Sequence, residues 1–312
     1  MQTFYDLFLE YAERWPQNVA LEMQRHDRLE SYTYADLRRM AESVGQWIVG
    51  GKFEAGSRLA ILADNHPRWV AAYLGIIAAG CTAVPLDTAL HASQVAKLLK
   101  DSGSTALFVD GKHLPVASEA VVGLSIAIVL IEKALSPDPG SDGKQEARAI
   151  SQSLPDFEHI FSLGPGTFKP VQSSPEAVAG LLYTSGTTAD PKGVMLTHAN
   201  LMGEVAAVFN RLNIGPEDAV LGVLPMFHIL AQMANLLLGQ QRQRPLTYLL
   251  IVHDLAIASN LADEIAVLQN GTIVETASSA DILRAPRQSY TQALVAAAFV
   301  SAAGSETDGG RL

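Results

Sequence analysis

The sequence has little cysteine, little charge and no long hydrophobic run. Only one of the 312 residues, Cys81, is a cysteine, which excludes an internal disulfide framework and makes a reducing, cytoplasmic location the expectation. Charged residues make up 17% of the chain and hydrophobic residues 48%, a balance that favours a packed core over disorder. At about 150 residues per domain, the length suggests two domains.

What is missing also disfavours several classes of protein. The opening residues, MQTFYDLFLEYAERW, lack a basic region followed by an apolar one, so no signal peptide is expected. Of the two most apolar stretches, residues 115–131 contain Glu119 and residues 293–303 are too few to span a bilayer, so no membrane span is expected. The net charge of −10 argues against nucleic-acid binding. No metal-binding residues are assigned.

The first 110 residues alternate between short apolar runs and longer amphipathic stretches. Apolar residues spaced three and four apart predict helices, and short apolar runs between turn residues predict strands. This alternation implies an α/β fold of layered, mostly parallel sheets with covering helices. The predicted helices are residues 2–14, 34–49, 67–79 and one containing 94–100, and the predicted strands are residues 20–23, 29–32, 58–62, 83–86 and 106–109.

The pattern beyond residue 110 is less regular. Residues 120–131 suit either a helix or a buried strand, and residues 136–174, rich in Ser, Pro and Gly, predict irregular connections. Asn270-Gly271 favours a type I′ turn and therefore a β-hairpin. Further strands are predicted at residues 177–183, 220–224, 246–252, 265–268 and 272–275. Further helices are predicted at 198–212, from the PMFH string to about 238, and at 255–262, 278–284 and 290–298.

The most informative stretch is the string YTSGTTADPKGV at residues 183–194. Its glycines allow the backbone to approach an anion closely, and successive backbone N–H groups can form an anion-binding nest. Its hydroxyls add hydrogen-bond donors and its lysine adds positive charge, so the pattern favours a polyphosphate ligand. The residues concerned are Ser185, Gly186, Thr187, Thr188, Lys192 and Gly193.

Two other interpretations of this loop fit its residues less well. A Ser/Thr/Gly turn can be simply solvated, but the density of hydroxyls and glycines in one string favours an anion site. The string does not fit the Walker A pattern G-x-x-x-x-G-K-[ST]. Gly143-Lys144 does not fit it either, because Asp138 and Gln145 stand where that pattern needs Gly and Ser or Thr.

The string resembles the phosphate-loop signature of adenylate-forming enzymes, the superfamily of acyl-CoA synthetases, luciferases and peptide-synthetase adenylation domains. Leu224-Pro225-Met226-Phe227-His228 resembles the next motif of that superfamily. Ala189 departs from the pattern, in which Gly is commonest. The resemblance covers about residues 1–235, and it is supported by MLTHANL at 195–201, SYTYADL at 31–37 and AVPLD at 83–87.

The resemblance implies ATP-dependent activation of a carboxylic acid, with fatty acids as the nearest class. The carboxylate would attack the α-phosphate of ATP, pyrophosphate would leave with Mg²⁺, and the thiol of CoA would then attack the acyl adenylate. ATP, Mg²⁺ and CoA are thus the implied cofactors. Phe227 and His228 would line the acyl pocket, although a histidine in isolation is more often a packed structural residue. The ATP phosphates would be held by Thr184, Ser185, Gly186, Thr187, Thr188 and Lys192.

Several motifs of complete members of the superfamily have no counterpart in these 312 residues. They are the aromatic-Gly-x-Thr-Glu segment that stacks on adenine, the Asp and Arg that bind the ribose region, and the lid domain with its catalytic lysine. Losing one preorganised group of this kind costs on the order of 100-fold in rate. Independent ligase activity is therefore not expected, and no catalytic residue is assigned.

A second resemblance begins near residue 246. Residues 246–255, LTYLLIVHDL, are similar to the switch-histidine strand of ABC-transporter ATPases, and residues 257–275 to the helix and hairpin that follow it. Residues 285–294 resemble the C-terminal stretch of oligopeptide and dipeptide importer ATPases. His253 would be the switch histidine, which contacts the γ-phosphate in those proteins. It is expected to be non-functional here, because Walker A, Walker B and signature motifs are missing and ALFVD at 106–110 suits an ordinary strand.

The sequence is therefore interpreted as a composite of two incomplete pieces joined within residues 236–245. Residues 1–240 are predicted to be a partial AMP-binding ligase domain, and residues 241–312 a small α/β tail with a β-hairpin. An ABC importer ATPase fragment, or a non-enzymatic product of gene fusion or misassembly, stays open as the alternative. The expected partners are a carboxylic acid and ATP, and exposed sheet edges are expected to favour self-association.

Overall fold

The computed structural model describes residues 2–25, 28–132, 154–184, 192–209, 225–227, 264–269 and 272–303. The chain divides into two compact units, Met1–Arg244 and Pro245–Leu312. The strands predicted at 220–224 and 246–252, and the helices predicted up to about 238 and at 255–262, lie outside the described residues.

The first unit alternates strands and helices, as the apolar pattern predicts. Its elements in the described ranges are α1 (Phe4–Arg14), β1 (Val19–Arg25), β2 (Arg28–Thr33), α2 (Tyr34–Gly50), β3 (Arg58–Leu62), α3 (Pro67–Ala78), β4 (Thr82–Pro85), α4 (Ala92–Ser102), β5 (Ala106–Asp110), α5 (Leu114–Ala120), β6 (Ala127–Glu132), α6 (Phe157–Leu163), β7 (Val178–Thr184), β8 (Lys192–Thr197) and α7 (His198–Phe209).

Local side-chain chemistry defines where several of these helices begin. The side chains of Thr3 and Thr33 each accept a hydrogen bond from the backbone N–H three residues later. The carboxylates of Asp6 and Asp36 in turn accept the backbone N–H of the threonine. Such capping boxes satisfy N–H groups that the first helical turn leaves without a partner. Helix α3 begins at Pro67, where a missing N–H costs nothing and the ring pre-sets the helical φ.

Six strands form one sheet in the order β6–β5–β3–β4–β7–β8. Every neighbouring pair is parallel except β7 and β8, which are antiparallel. Strands β1 and β2 form a separate antiparallel pair. The carboxyl ends of β3 to β7 therefore lie at one edge of the sheet, where open α/β sheets bind their ligands.

The central strands are apolar on both faces, as expected for a parallel sheet between two helical layers. On one face Leu59, Ile61 and Phe108 join the larger core, with side chains from α1, α2, α3 and α6. On the other face Leu62 and Val109 join a smaller core formed with α4 and α5. The predicted fold class, a mostly parallel sheet covered by helices, is confirmed in this unit.

Two segments of the sheet region differ from the sequence prediction. The irregular connection predicted for 136–174 is wrong at Phe157–Leu163, which forms α6. Asp156 caps this helix by accepting the N–H of His159, and Phe157 and Ile160 are buried in the larger core. A helix of less than two full turns carries too few residues for a periodicity to show. The ambiguous residues 120–131 divide between the end of α5 and strand β6.

The start of α1 is joined to the start of α7 by a histidine. The Phe4 N–H donates to Nδ1 of buried His198 over 3.4 Å, so that nitrogen must carry no proton. Burial lowers the pKa of His198 below its usual value, and the charge of Asp6 offsets part of this effect. The folded state therefore favours the neutral imidazole.

This contact predicts a pH-dependent stability. Because the pKa of His198 is lower in the folded chain, the unfolded chain binds a proton first as pH falls below about 6.5. The stabilisation is thus complete above that pH and is lost on acidification. His198→Asn keeps an acceptor near Nδ1 without a titrating group. We expect the free energy of unfolding, measured by urea titration between pH 7.5 and 5, to fall less steeply for this variant than for the parent. Equal pH dependence in the two proteins would contradict the assignment.

The second unit contains a hairpin and two helices. Its described elements are β9 (Glu264–Gln269), β10 (Thr272–Ser278), α8 (Ser279–Arg284) and α9 (Ser289–Ala303). Strands β9 and β10 are antiparallel, and Gln269 pairs with Thr272. The predicted hairpin and the two helices after it are confirmed. None of the helices in the described parts of the chain is long and apolar enough to cross a membrane.

A small core and one carboxylate hold this unit together. Ile265, Val267 and Ile282 are its buried apolar residues. Glu275 on β10 accepts the N–H groups of Arg287 and Gln288 over 2.8 and 3.0 Å. These residues directly precede α9, so the carboxylate caps that helix and complements its dipole.

Candidate functional site

The carboxyl edge of the large sheet holds two residues of the predicted phosphate-binding set, together with polar residues that follow β3 and β5. Strand β7 ends there at Thr184, and β8, which runs in the opposite direction, begins there at Lys192. Strand β3 leads into Asp64-Asn65-His66, and β5 ends at Asp110. These groups form the candidate site.

The base of the predicted phosphate loop is a closed hairpin. Thr184 and Lys192 are register partners on β7 and β8, so the two strands are paired up to the residues that flank the predicted loop. The Lys192 side chain is exposed. The structure therefore brings the first and last residues of the predicted set together. The other members, Ser185, Gly186, Thr187 and Thr188, lie outside the described residues.

Tyr183 anchors this hairpin base to a helix. Its hydroxyl donates to Oδ2 of Asp101 on α4 over 2.5 Å. Burial and the neighbouring Asp101 raise the pKa of Tyr183 well above its usual value, so the phenol stays a donor. The sequence pattern did not single out Asp101, because 82 residues separate it from Tyr183.

Gly193 has a packing role that the sequence did not predict. It lies opposite Tyr183 in the β7–β8 register. A Cβ at Gly193 would lie 3.0 Å from Cδ1 of Leu181 and 3.3 Å from Cε1 of Tyr183. Such contacts are tighter than ordinary van der Waals distances, so glycine here leaves room for the ring that anchors the loop base.

The predicted acyl-pocket motif reaches the same edge of the sheet. The Met226 N–H donates to Oδ1 of Asn65 over 2.7 Å, and the Met226 side chain is buried in the larger core. Phe227 follows and is half-buried. Phe227 is thus next to the connection that follows β3. His228 lies outside the described residues, as does His253, the predicted ABC-type switch histidine.

A second polar cluster joins the ends of β3 and β5. Asp110 accepts the backbone N–H groups of Asp64 and His113 and a hydrogen bond from Nδ1 of His113 over 2.7 Å. Lys112 donates to Asp64 over 2.7 Å. Burial alone would raise the pKa of Asp110, but the three hydrogen bonds and the His113 ring outweigh it and lower that pKa. The carboxylate is therefore charged and holds the two strand ends together.

The geometry of this cluster would also suit a metal ion. One ligand atom from each of Asp64, Asp110 and His113 lies within 4.8 Å of the others. Both oxygens of Asp110 already accept hydrogen bonds, and the Lys112 ammonium is paired with Asp64. A satisfied charge network accounts for these contacts without a cation. We assign the cluster a structural role.

The connection between β3 and α3 is held at three successive residues. The Asp64 N–H donates to Asp110, Asn65 accepts from Met226, and Nδ1 of His66 accepts the N–H of Arg68 over 3.0 Å. The only sign in the sequence is a polar run directly after an apolar strand, which does not reveal the partners.

Comparison with known proteins identifies the family of this unit. The family model described as AMP-binding enzyme matches residues 8–241. The chain belongs to the AMP-binding enzyme family. Its N-terminal region is an AMP-binding, adenylate-forming ligase domain, as the motifs indicated, and the candidate site lies within it. The family match ends before residue 246, so the ABC resemblance of the later residues stays a prediction.

Several curated relatives of this AMP-binding region are ligases of acids. The L-proline–[L-prolyl-carrier protein] ligase of Streptomyces coelicolor is 30% identical over 61% of this chain and 34% of its own length. Fatty acyl-CoA synthetase A of Dictyostelium discoideum is 32% identical over 64% of this chain and 29% of its own length. Human long-chain-fatty-acid–CoA ligase 1 is 26% identical over 66% of this chain and 30% of its own length. The chain thus spans about a third of the length of these relatives.

Solved structures show the same fold. The anthranilate CoA ligase AuaEII in complex with anthranoyl-AMP superposes with a TM-score of 0.65 at 21% identity, covering 77% of this chain and 44% of the ligase. The N-terminal domain of FACL13 from Mycobacterium tuberculosis gives a TM-score of 0.62 at 22% identity, covering 77% and 56%. At such identities the likeness establishes the architecture of the AMP-binding region.

Proposed function

We propose that the AMP-binding region takes part in activating a carboxylic acid as its adenylate. The observation that carries the proposal is the hairpin base, where Thr184 and Lys192 face each other across β7 and β8. This base lies at the carboxyl edge of a parallel sheet, the edge at which such folds bind ligands. The acid–CoA and acid–carrier ligases among its relatives support the same chemistry.

Within this proposal, Thr184, Ser185, Gly186, Thr187, Thr188 and Lys192 hold the β- and γ-phosphates of ATP. The exposed Lys192 ammonium at the loop base supplies charge, and hydroxyl and backbone donors complete the cradle. The bond between Tyr183 and Asp101 keeps that base against α4. When bound, Mg²⁺ neutralises part of the phosphate charge, and CoA accepts the acyl group.

The acid is proposed to lie against Phe227 and His228. Phe227 stands on a segment tied to the end of β3, so its ring has a defined place at the same edge of the sheet. A half-buried aromatic ring can contact an apolar acid through its exposed part and exclude water from that contact. An acyl or aryl acid is the corresponding substrate class.

We further propose that a full catalytic cycle needs groups that these 312 residues do not supply. The adenine-stacking, ribose-binding and lid motifs have no counterpart in the sequence. Phosphate binding and acid binding should therefore persist in this chain, whereas adenylation should be slow. This separation between binding and turnover makes the proposal testable.

The test combines binding with isotope exchange. Purified full-length chain is titrated with MgATP and with carboxylic acids of two to sixteen carbons by calorimetry, and ATP–pyrophosphate exchange is measured with the same acids. We expect MgATP binding and a preference among the acids, with exchange weak or undetectable. A folded chain that binds neither MgATP nor any acid would refute the proposed function. Rapid exchange would refute the need for additional groups.

The residues after the join are proposed to derive from an ABC-type ATPase, with His253 inactive. The supporting features are the string around His253 and the hairpin of β9 and β10 after it. We propose domain limits of 1–240 and 241–312 on the same basis. Continuous sequencing reads across codons 236–245 would separate a genuine fusion from a misassembled sequence.

Self-association through the sheet edge is a further part of this proposal. Strand β8 pairs only with β7 among the described residues, and its Val194 and Met195 are 43% and 65% exposed. An exposed apolar edge strand favours pairing between chains. Sedimentation of the full chain should therefore show species larger than a monomer. A cytoplasmic location is proposed from the single cysteine.

A further inference from the structure

A hydrogen bond joins the acid-pocket motif to the connection between β3 and α3. The Met226 N–H donates to Oδ1 of Asn65 over 2.7 Å, across a sequence separation of 161 residues. Asn65 lies between β3 and α3, outside every motif that suggested the function. Its side chain reaches the backbone of the residue directly before Phe227.

The Asn65 backbone has little freedom to move. On one side the Asp64 N–H is bound to Asp110 on β5. On the other side Nδ1 of His66 accepts the N–H of Arg68 at the start of α3, and Nε2 of His66 lies 3.4 Å from Glu132 on β6. With both neighbours fixed, the connection cannot shift to restore a contact that the Asn65 side chain loses.

Met226 transmits this constraint to Phe227. Its side chain is 4% exposed and packs in the larger core, which fixes one end of the residue, while its N–H is held by Asn65. These two attachments orient the Met226 backbone, so that only its ψ torsion separates it from the planar peptide bond to Phe227. Pro225 removes one further torsional freedom from the segment.

We propose that Asn65 is a positioning residue for the acid pocket and acts by holding Phe227 through the Met226 N–H. This inference rests on the proposed role of Phe227 in binding the acid. Asn65 itself does not touch the substrate in this proposal. Its loss should alter which acids bind, while the binding of MgATP at the β7–β8 loop stays unchanged.

The test uses two substitutions of similar size in the full chain. Asn65→Leu removes the acceptor, whereas Asn65→Asp keeps an oxygen in its place. A single 4-fluorophenylalanine at position 227 reports by ¹⁹F NMR whether the ring has one environment. We expect one sharp resonance in the parent and in Asn65→Asp, and a shifted or broadened resonance in Asn65→Leu. If Asn65→Leu fails to fold, Asn65→Ser, whose hydroxyl is too short to reach Met226, replaces it.

Acid binding supplies the second measurement. Affinity for the preferred acid should fall about five- to tenfold in Asn65→Leu, the usual effect of one lost hydrogen bond, and less than threefold in Asn65→Asp. Phe227→Ala should lower affinity too, and adding Asn65→Leu to it should have no further effect, since both act through one ring.

The possible failures are distinguishable. An unchanged ¹⁹F resonance in Asn65→Leu overturns the inference, whatever the chain binds. A changed resonance with parental acid affinities also overturns it, because the ring position would then not govern binding. If the parent binds no acid while the resonance changes, the proposed function is refuted, and the resonance still establishes that Asn65 positions Phe227.

Discussion

Lys192→Met is expected to weaken MgATP binding by the full-length chain about 100-fold. Methionine keeps the unbranched shape of the side chain but removes the ammonium group at the base of the β7–β8 loop. Removing one preorganised charged donor from a phosphate or oxyanion site typically costs about 3 kcal/mol, which corresponds to this factor. Isothermal titration calorimetry with MgATP measures the effect directly.

A matched control removes a lysine elsewhere. Lys169→Met changes an exposed lysine that precedes β7 and lies outside the loop motif, so it alters the net charge of the chain by the same amount. We expect its MgATP affinity to stay within about twofold of the parent, the scale of long-range screened charge effects. Equal losses in the two variants would show a general charge effect and would contradict the assignment of Lys192 to the phosphate site.

Gly75→Ala is expected to lower the free energy of unfolding by about 3 kcal/mol, a large fraction of the stability of an ordinary domain. Gly75 lies on α3 where that helix packs against α2. An added Cβ would lie 2.6 Å from the carbonyl oxygen of Ala41 and 2.6 Å from Cβ of Val44. Because one of these atoms belongs to the backbone, the helices themselves must separate. Urea unfolding followed by circular dichroism measures the loss.

Gly203→Ala is the corresponding control. Gly203 also lies inside a helix, α7, but a Cβ there would meet nothing within 4 Å. Alanine is a better helix former than glycine by about 1 kcal/mol, so this variant should be as stable as the parent or slightly more stable. If Gly75→Ala behaves like Gly203→Ala, the close approach of α2 and α3 is wrong.

Much of this fold could be predicted because its elements are locally determined. The residues of β3 follow directly from an apolar run between polar turns, and α2 follows from its periodicity. The Asn-Gly pair similarly predicts the hairpin of β9 and β10. The phosphate-loop string was recognised because its chemistry is concentrated in consecutive residues.

Contacts between distant residues could not be predicted in this way. Nothing in the composition of the connection after β3 indicates that Asn65 meets Met226, or that Asp101 receives the hydroxyl of Tyr183. Such pairs depend on the order of strands in the sheet, which cannot be deduced from the pattern of one sequence. Gly193 illustrates the same limit, since its neighbour across the hairpin becomes known only with the register of β7 and β8.

The pairing of Thr184 with Lys192 also makes the proposed phosphate loop a segment that can be replaced by another loop. Residues can be inserted or exchanged between those two positions without moving the strands, because the hairpin closes before the loop begins. Inserting or deleting one residue within β8 would instead turn every later side chain of that strand to the opposite face. Loops from nucleotide-binding proteins could therefore be compared on this scaffold with the flanking sheet held constant.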